Sequence, residues 1–325
     1  MATTSHPPDG PSPALAGPGL GASLKRSFLS TRPAFYTASV LPVLVGSSWA
    51  AAELGHLDGV LFALALLAIV LAHGATNVYN DVGDDVIGAD SGNTDRIYPY
   101  TGGSRFIQTG LLTRSEMARL ALGLAIAALA VGVVLTFLRG PGVVVLGLAG
   151  LGLGLLYSMP GPQLSARGIG ELAVAVGFGP LPLLGAVWLQ RAPVDLAAVL
   201  LSLPVGAWVA AILLINEVPD RDADARAGKR TLVVRFGAGG ARAIYLGLTG
   251  LALAAGVGAI LVGALALWYA LPAIAFAFMG SAAARGITLE REGRPRLKKS
   301  IELTLTVHAL GCLALCAAIL AHRFG

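Results

Sequence analysis

The sequence predicts an all-α, polytopic membrane protein, and three observations carry that prediction. Of its 325 residues, 55% are hydrophobic and only 13% charged, with a mean hydropathy of +0.75; soluble domains carry roughly 25% charged residues. The apolar stretches are continuous runs of about 20 residues rather than alternating segments of ten, and in hydrocarbon only helices and closed barrels satisfy every backbone hydrogen bond, so helices are expected. The basic residues, finally, fall on one side of the expected spans.

The first 24 residues, rich in Pro, Gly and Ala and without a charged start, read as a disordered tail rather than a cleaved signal peptide. Residues 25–325 then form one transmembrane domain. Nine spans are expected, at about 34–54, 59–80, 116–138, 142–158, 170–190, 195–216, 240–262, 264–284 and 301–321. Short cytoplasmic loops are enriched in Lys and Arg. Of the 23 here, Arg139, Arg191 and Arg323 lie at the opposite ends, while the other 20 fall in the N-terminus, in the loops after spans two, four, six and eight or, for Arg119 and Arg242, in the first turn of the span that follows. Nine spans with a cytoplasmic N-terminus satisfy that bias, which for a bacterial chain implies the inner (cytoplasmic) membrane. The same bias makes the net charge of +5 a topology signal and an attraction to the anionic lipid bilayer, not a nucleic-acid footprint. Cys312 and Cys316 share a face of the last span, with only His308 near them, and read as packing residues.

The acids carry more information. Aspartate at the bilayer centre costs roughly 2.5–3.5 kcal/mol on insertion scales, so acids at helix ends are functional candidates. Of 18 Asp and Glu, nine lie in two segments, 77–95 and 216–224. Asn77, Asp81 and Asp85 are spaced by four, and so are Asn216, Asp220 and Asp224 in NEVPDRDAD. On an α-helix each trio forms a column on one face. Both columns end an even-numbered span, four spans apart, as an internal duplication would place them.

Hard divalent cations such as Mg²⁺ take oxygen ligands, typically one or two carboxylates plus the phosphate oxygens of a substrate. Two opposed columns suit a diphosphate held through such ions. Arg96 and Arg105 follow the first motif, and Arg221, Arg226, Lys229 and Arg230 follow or interleave with the second; such side chains neutralise phosphate charge. A solvated charged loop explains the bases but not the doubled spacing of Asn and Asp.

The stretches NVYNDVGDDVIGAD, TGGSRFIQTGLL and NEVPDRDADARAGKRTLVVRFG resemble the UbiA superfamily of intramembrane prenyltransferases. The resemblance extends to TRPAFYTASVLPVLVG and to YSMPGPQLSARGIGELAVAVGFGPL. It implies nine helices around a central chamber, Mg²⁺ bound through Asp81, Asp85, Asp220 and Asp224, and transfer of a polyprenyl group from polyprenyl diphosphate to an aromatic acceptor. Asn77 and Asn216 open the matched motifs; Lys229 and Arg230 lie in GKRTL, which matches the family's Gly-Lys-x-Thr-Leu stretch. Asp84 and Asp90 have acidic counterparts in many relatives. The layout of Asn77, Asn80, Asp81, Asp84, Gly88 and Asp90 resembles 1,4-dihydroxy-2-naphthoate polyprenyltransferases of menaquinone synthesis more than 4-hydroxybenzoate enzymes. On this reading metal ions and bases stabilise the diphosphate as leaving group, and an electron-rich ring carbon attacks the allylic cation.

Two further expectations follow. Tyr157, ending span four, is placed to line the chamber or to anchor that span at the interface. The loop from about 82 to 114 is long for a connector and is expected either to cap the site, with Gly102 and Gly103 as flexible points, or to be an ordered surface loop. A cation-coupled transporter with opposed acidic half-sites is the competing class. Columns at the cytoplasmic end rather than the midplane, followed by phosphate-compatible bases, count against it.

Overall fold

The computed structural model describes residues 10–90, 93–159 and 161–324. The disorder expected for residues 1–9 lies outside the described residues. Among these there is no strand, and eleven α-helices follow in order: α1 (Leu20–Ser30), α2 (Thr37–Leu54), α3 (Gly59–Val86), α4 (Arg114–Arg139), α5 (Gly142–Ser158), α6 (Gly170–Phe178), α7 (Pro180–Leu189), α8 (Leu196–Arg226), α9 (Leu232–Leu261), α10 (Ala270–Arg285) and α11 (Arg294–Phe324).

Eight helical units among the described residues are long and apolar enough to cross a membrane, and α5, with 17 residues, falls just short of that length. Local chemistry starts them. Asp58 Oδ1 accepts from the amides of Val60 and Leu61 to open α3, Thr113 and Glu116 form a reciprocal capping box on α4, and Asp195 caps α8 through the Ala198 amide. Each cap satisfies amides that a helix start leaves unpaired.

The elements depart from the sequence expectation in several places. The chain folds before residue 24, with a 3₁₀ turn at Pro13–Ala16 and α1 from Leu20. Leu15 is buried against Phe106, Leu112 and Met117, which gives this segment an apolar anchor that its Pro and Gly content concealed. Helices α3 and α8 run on to Val86 and Arg226, past the expected ends at 80 and 216, so both acid motifs are helical. The span expected at 170–190 is two helices, because Pro180 follows Gly179, whose backbone is non-helical. A Cβ on Gly179 would stand 2.4 Å from Gly206 Cα, so the break is where α6 and α7 meet α8 backbone to backbone.

Helix α8 organises the bundle. Its apolar window is 78% buried, against 11% for α4, and it packs on α6, α7, α9 and α11. Val205, Trp208, Leu214 and Ile215 of α8 enter two apolar cores with Trp49, Leu183, Tyr269, Leu315, Tyr245 and Ile301. In α4, Leu122, Ile126, Leu129 and Val133 stay exposed at helical spacing, the stripe that a lipid-facing helix presents. The chain is a multi-span membrane protein.

Candidate functional site: two acid-bearing helix ends tied by one loop

Helices α3 and α8 bring the two motifs to the same end of the bundle, and the loop between α3 and α4 joins them. Its turn at residues 101–104, Thr-Gly-Gly-Ser, donates to both. The Gly102 amide meets Asp220 Oδ2 at 3.0 Å, and the Ser104 amide meets Asp81 Oδ2 at 3.1 Å. Asn93 adds a bond from Nδ2 to Asp220 Oδ1 at 2.7 Å. Gly102 and Gly103 both have φ of +74°, a conformation that costs glycine nothing and other residues strain. A Cβ on Gly103 would lie 2.5 Å from Asp90 Oδ2 and 3.1 Å from Asp81 Oδ1, so this backbone presses against two carboxylates.

A second tie lies beside the first. Lys229 Nζ sits 2.7 Å from Asp84 and 3.3 Å from Asp224, all three side chains at most 15% exposed. Burial disfavours the ammonium charge, but Asp84 and then Asp224 outweigh it and hold the Lys229 pKa above the ordinary lysine value. Asp90, in the loop, is the opposite case. Burial, reinforced by the carboxylates of Asp81 and Asp84 and only partly opposed by Lys229, pushes its pKa up to about 9. It is therefore protonated at neutral pH.

The expected residues divide into those that face this junction and those that do not. Asp81, Asp220, Asp224 and Lys229 face it. Asp85 does not: Arg114 holds its Oδ2 at 2.7 Å and Gln108 its Oδ1 at 3.2 Å. Asp84 takes the inward place, where Lys229 holds its carboxylate. Arg230 is exposed, contributing its amide to the Ala166 carbonyl at 2.8 Å. Asn77 Nδ2 donates to the Thr31 carbonyl at 3.0 Å, tying α3 to the end of α1. Asn216 Oδ1 is buried without a hydrogen-bond partner. Arg96 and Arg105 brace the loop through the carbonyls of Asn93 and Asp90. Tyr157 lies among Glu217, Lys229, Asp84 and Glu171.

Sequence reasoning passed over Asn93, Ser104 and Glu171. The first two act through a loop whose path only the fold reveals. Glu171 carried a readable signal, as a lone acid in the apolar run GELAVAVGF.

The donor set can be tested against a divalent cation. Asp81 Oδ1 and Asp90 Oδ2 are buried carboxylate oxygens with no hydrogen-bond donor, both beside Gly103. Among the described residues no three His, Cys, Asp or Glu converge on one point. Mg²⁺ characteristically takes one or two protein carboxylates and completes its shell with water and phosphate. The residues present fit such an ion, with the remaining ligands coming from a phosphorylated substrate.

Residues 39–320 match the model of the UbiA prenyltransferase family. The chain is 33% identical over 235 residues to the 1,4-dihydroxy-2-naphthoate octaprenyltransferase of Mycobacterium tuberculosis, covering 71% of this chain and 76% of that protein. With the Escherichia coli protein of the same name it shares 32% over 222 residues, 66% and 69% of the two chains. Among solved structures, a UbiA homolog from Archaeoglobus fulgidus bound to DMAPP and Mg²⁺ superposes with a TM-score of 0.66 at 16% identity, over 91% of this chain and 99% of that one.

Proposed function

The chain belongs to the UbiA prenyltransferase family, and on that premise we propose that it transfers a polyprenyl group from polyprenyl diphosphate to 1,4-dihydroxy-2-naphthoate in menaquinone synthesis. The observation that carries the reading is the junction itself: Gly102 and Ser104 tie Asp220 to Asp81, while Lys229 ties Asp224 to Asp84. Relatives named for the naphthoate acceptor, at 32–33% identity, support the choice of acceptor. Family membership favours 4-hydroxybenzoate as the second acceptor to try and removes the ground for a transporter.

Asp81 and Asp90, with Asp84, Asp220 and Asp224 around them, are the acids that would hold Mg²⁺, with Asn77 and Asn216 opening each motif. When bound, the metal supplies positive charge to the leaving diphosphate. Lys229, reinforced by Arg96 and Arg105 in the loop, supplies fixed positive charge at the same place. The loop closes the junction from outside, and its amides hold the acids in register while excluding water from a reactive allylic centre. Tyr157 borders the chamber next to that centre. The apolar helices receive the prenyl chain from the bilayer. The distribution of Lys and Arg supports a reading in which the junction and the N-terminus lie on the cytoplasmic side of the inner membrane.

The test is prenyl transfer by purified protein in detergent with Mg²⁺, geranyl diphosphate and either 1,4-dihydroxy-2-naphthoate or 4-hydroxybenzoate. A prenylated naphthoquinol that disappears in Asp81→Ala and Asp220→Ala is the expected outcome. A hydroxybenzoate product alone would move the enzyme to another pathway, and absence of diphosphate binding would overturn the reading.

A further inference from the structure

The junction leaves one polar feature unused. Glu171, in the first turn of α6, is 5% exposed, and Glu217 of α8 is 8% exposed. Both oxygens of Glu171 and Oε2 of Glu217 are buried without a well-formed hydrogen bond; the Glu171 carboxyl has its own backbone amide nearby and the Glu217 carboxyl beside it. Carboxylate oxygens only accept, and leaving them unpaired in a low-dielectric interior costs the desolvation of each. A pair of acids can share one proton, which satisfies one contact and leaves acceptor capacity over. What such a site lacks is a donor from outside the chain.

Its position says which donor. Glu217 precedes Asp220 by three residues on the same helix, about 4.5 Å along the axis toward the membrane interior, and lies about 20° in azimuth from Asp224. The pair therefore sits about one turn below the acids assigned to the diphosphate, on the side from which the proposed reaction brings the acceptor. Tyr157 borders the same space. An acidic pair attracts hydroxyl donors and repels carboxylates. In 1,4-dihydroxy-2-naphthoate the hydroxyl ortho to the carboxylate is already bonded to it, leaving the 4-hydroxyl as the free donor.

We infer that the Glu171–Glu217 pair is the acceptor-recognition site, taking the acceptor's free ring hydroxyl and turning its carboxylate away. This rests on the proposed prenyl-transfer reading and deepens it. Glu171 and Glu217 thereby select hydroxylated aromatic acceptors and fix which face of the ring meets the prenyl group.

The test compares the KM for 1,4-dihydroxy-2-naphthoate with the inhibition constant of 1-hydroxy-2-naphthoate, which lacks the 4-hydroxyl, in wild-type protein, Glu171→Leu and Glu171→Gln. In wild type the dihydroxy compound is expected to bind about tenfold or more tightly, as sites built to bond a substrate hydroxyl discriminate against its absence. Glu171→Leu is expected to erase that difference by weakening the dihydroxy compound alone, Glu171→Gln to restore part of it, and both to keep the wild-type KM for geranyl diphosphate. A parallel loss for both naphthoates, or an unchanged ratio in Glu171→Leu, would overturn the inference in favour of a packing role. If Glu171→Leu fails to fold, the ratio in Glu171→Gln and Glu217→Gln decides: unchanged in both, the inference is lost. If wild-type protein transfers to neither acceptor, the functional reading fails separately. The pair is then judged by equilibrium binding of the same two naphthoates, and equal Kd values reject it.

Discussion

Lys229 Nζ lies 2.7 Å from Asp84 Oδ1, joining the loop after α8 to the end of α3 across the mouth of the bundle. The same ammonium reaches Asp224 at 3.3 Å, so one charge balances acids from both motifs. Its place is set locally: the Lys229 amide donates to the Asp224 carbonyl at 2.9 Å, directly after Gly228 at φ +80°, a helix end of the kind that left-handed glycine provides. Helix termination and charge placement are thus one structural event.

Lys229→Met should therefore do more than remove a phosphate ligand. It leaves Asp84 and Asp224 buried and uncompensated, and breaking a buried pair from one side costs about 3–5 kcal/mol. The expected outcome is a lowered unfolding temperature together with a loss of transfer of about 100-fold or more. Lys229→Arg should keep most of the stability but little of the activity, because a planar fork cannot occupy the position of a point charge between two carboxylates. Thermal unfolding and turnover on the same preparations separate the two effects.

The acid neighbours Asp84 and Asp85 should behave oppositely. Asp84→Asn removes a carboxylate from the junction and is expected to lower transfer by about 100-fold, in the range seen when one electrostatic contact to a developing charge is lost. Asp85 pairs with Arg114, whose side chain is 56% exposed. Such a pair contributes about 1 kcal/mol or less, and Asp85→Asn should keep transfer within about threefold of wild type. Equal losses in the two variants would return Asp85 to the site.

The contrast between these neighbours shows what the sequence disclosed and what it withheld. Membrane helices, paired acids and their common end were legible because hydropathy and residue spacing are local properties. Asp84 was harder to assign than Asp85, because the choice between adjacent acids rests on their partners Lys229 and Arg114, which only the fold supplies. Asn93, Gly102 and Ser104 were illegible as ligands of the acids, since their bonds span 127, 118 and 23 residues. The break at Gly179–Pro180 was readable as a dipeptide, but not its packing on Gly206. Arg230 is exposed one peptide unit beyond buried Lys229, a difference between neighbours that a motif match does not carry.

Gly103 supplies a sharper test of the loop. A methyl group there would stand 2.5 Å from Asp90 Oδ2, and the backbone has φ +74°. Gly110 shares the strained conformation at φ +71° but has nothing within 4 Å. Gly110→Ala is expected to cost only about 1 kcal/mol of stability from its backbone, with transfer little changed. Gly103→Ala adds a collision with the acids themselves and should cut transfer by about tenfold or more while weakening the apparent affinity for Mg²⁺. Magnesium titrations of activity in the two alanine variants make the comparison, and equal behaviour would mean that the close approach to Asp90 and Asp81 has no part in function.

Asp90 adds a pH dependence to the stability of the metal-free protein. Its carboxyl is raised from 3.8 to about 9, so the folded chain holds a proton that the unfolded chain has already released at neutral pH. Its contribution to stability is complete below pH about 4 and is lost progressively as pH rises toward 9. Metal-free protein should therefore unfold more easily at pH 8.5 than at pH 6, and Asp90→Asn, which keeps the neutral hydrogen-bonding shape, should flatten that slope. A divalent cation beside Asp81 reverses the local preference and favours the ionised acid, so Mg²⁺ binding with diphosphate should release protons at pH 7, fewer in Asp90→Asn. Calorimetry in two buffers of different ionisation enthalpy measures that release. Identical proton release in wild type and Asp90→Asn would place the Asp90 carboxyl outside the metal's influence.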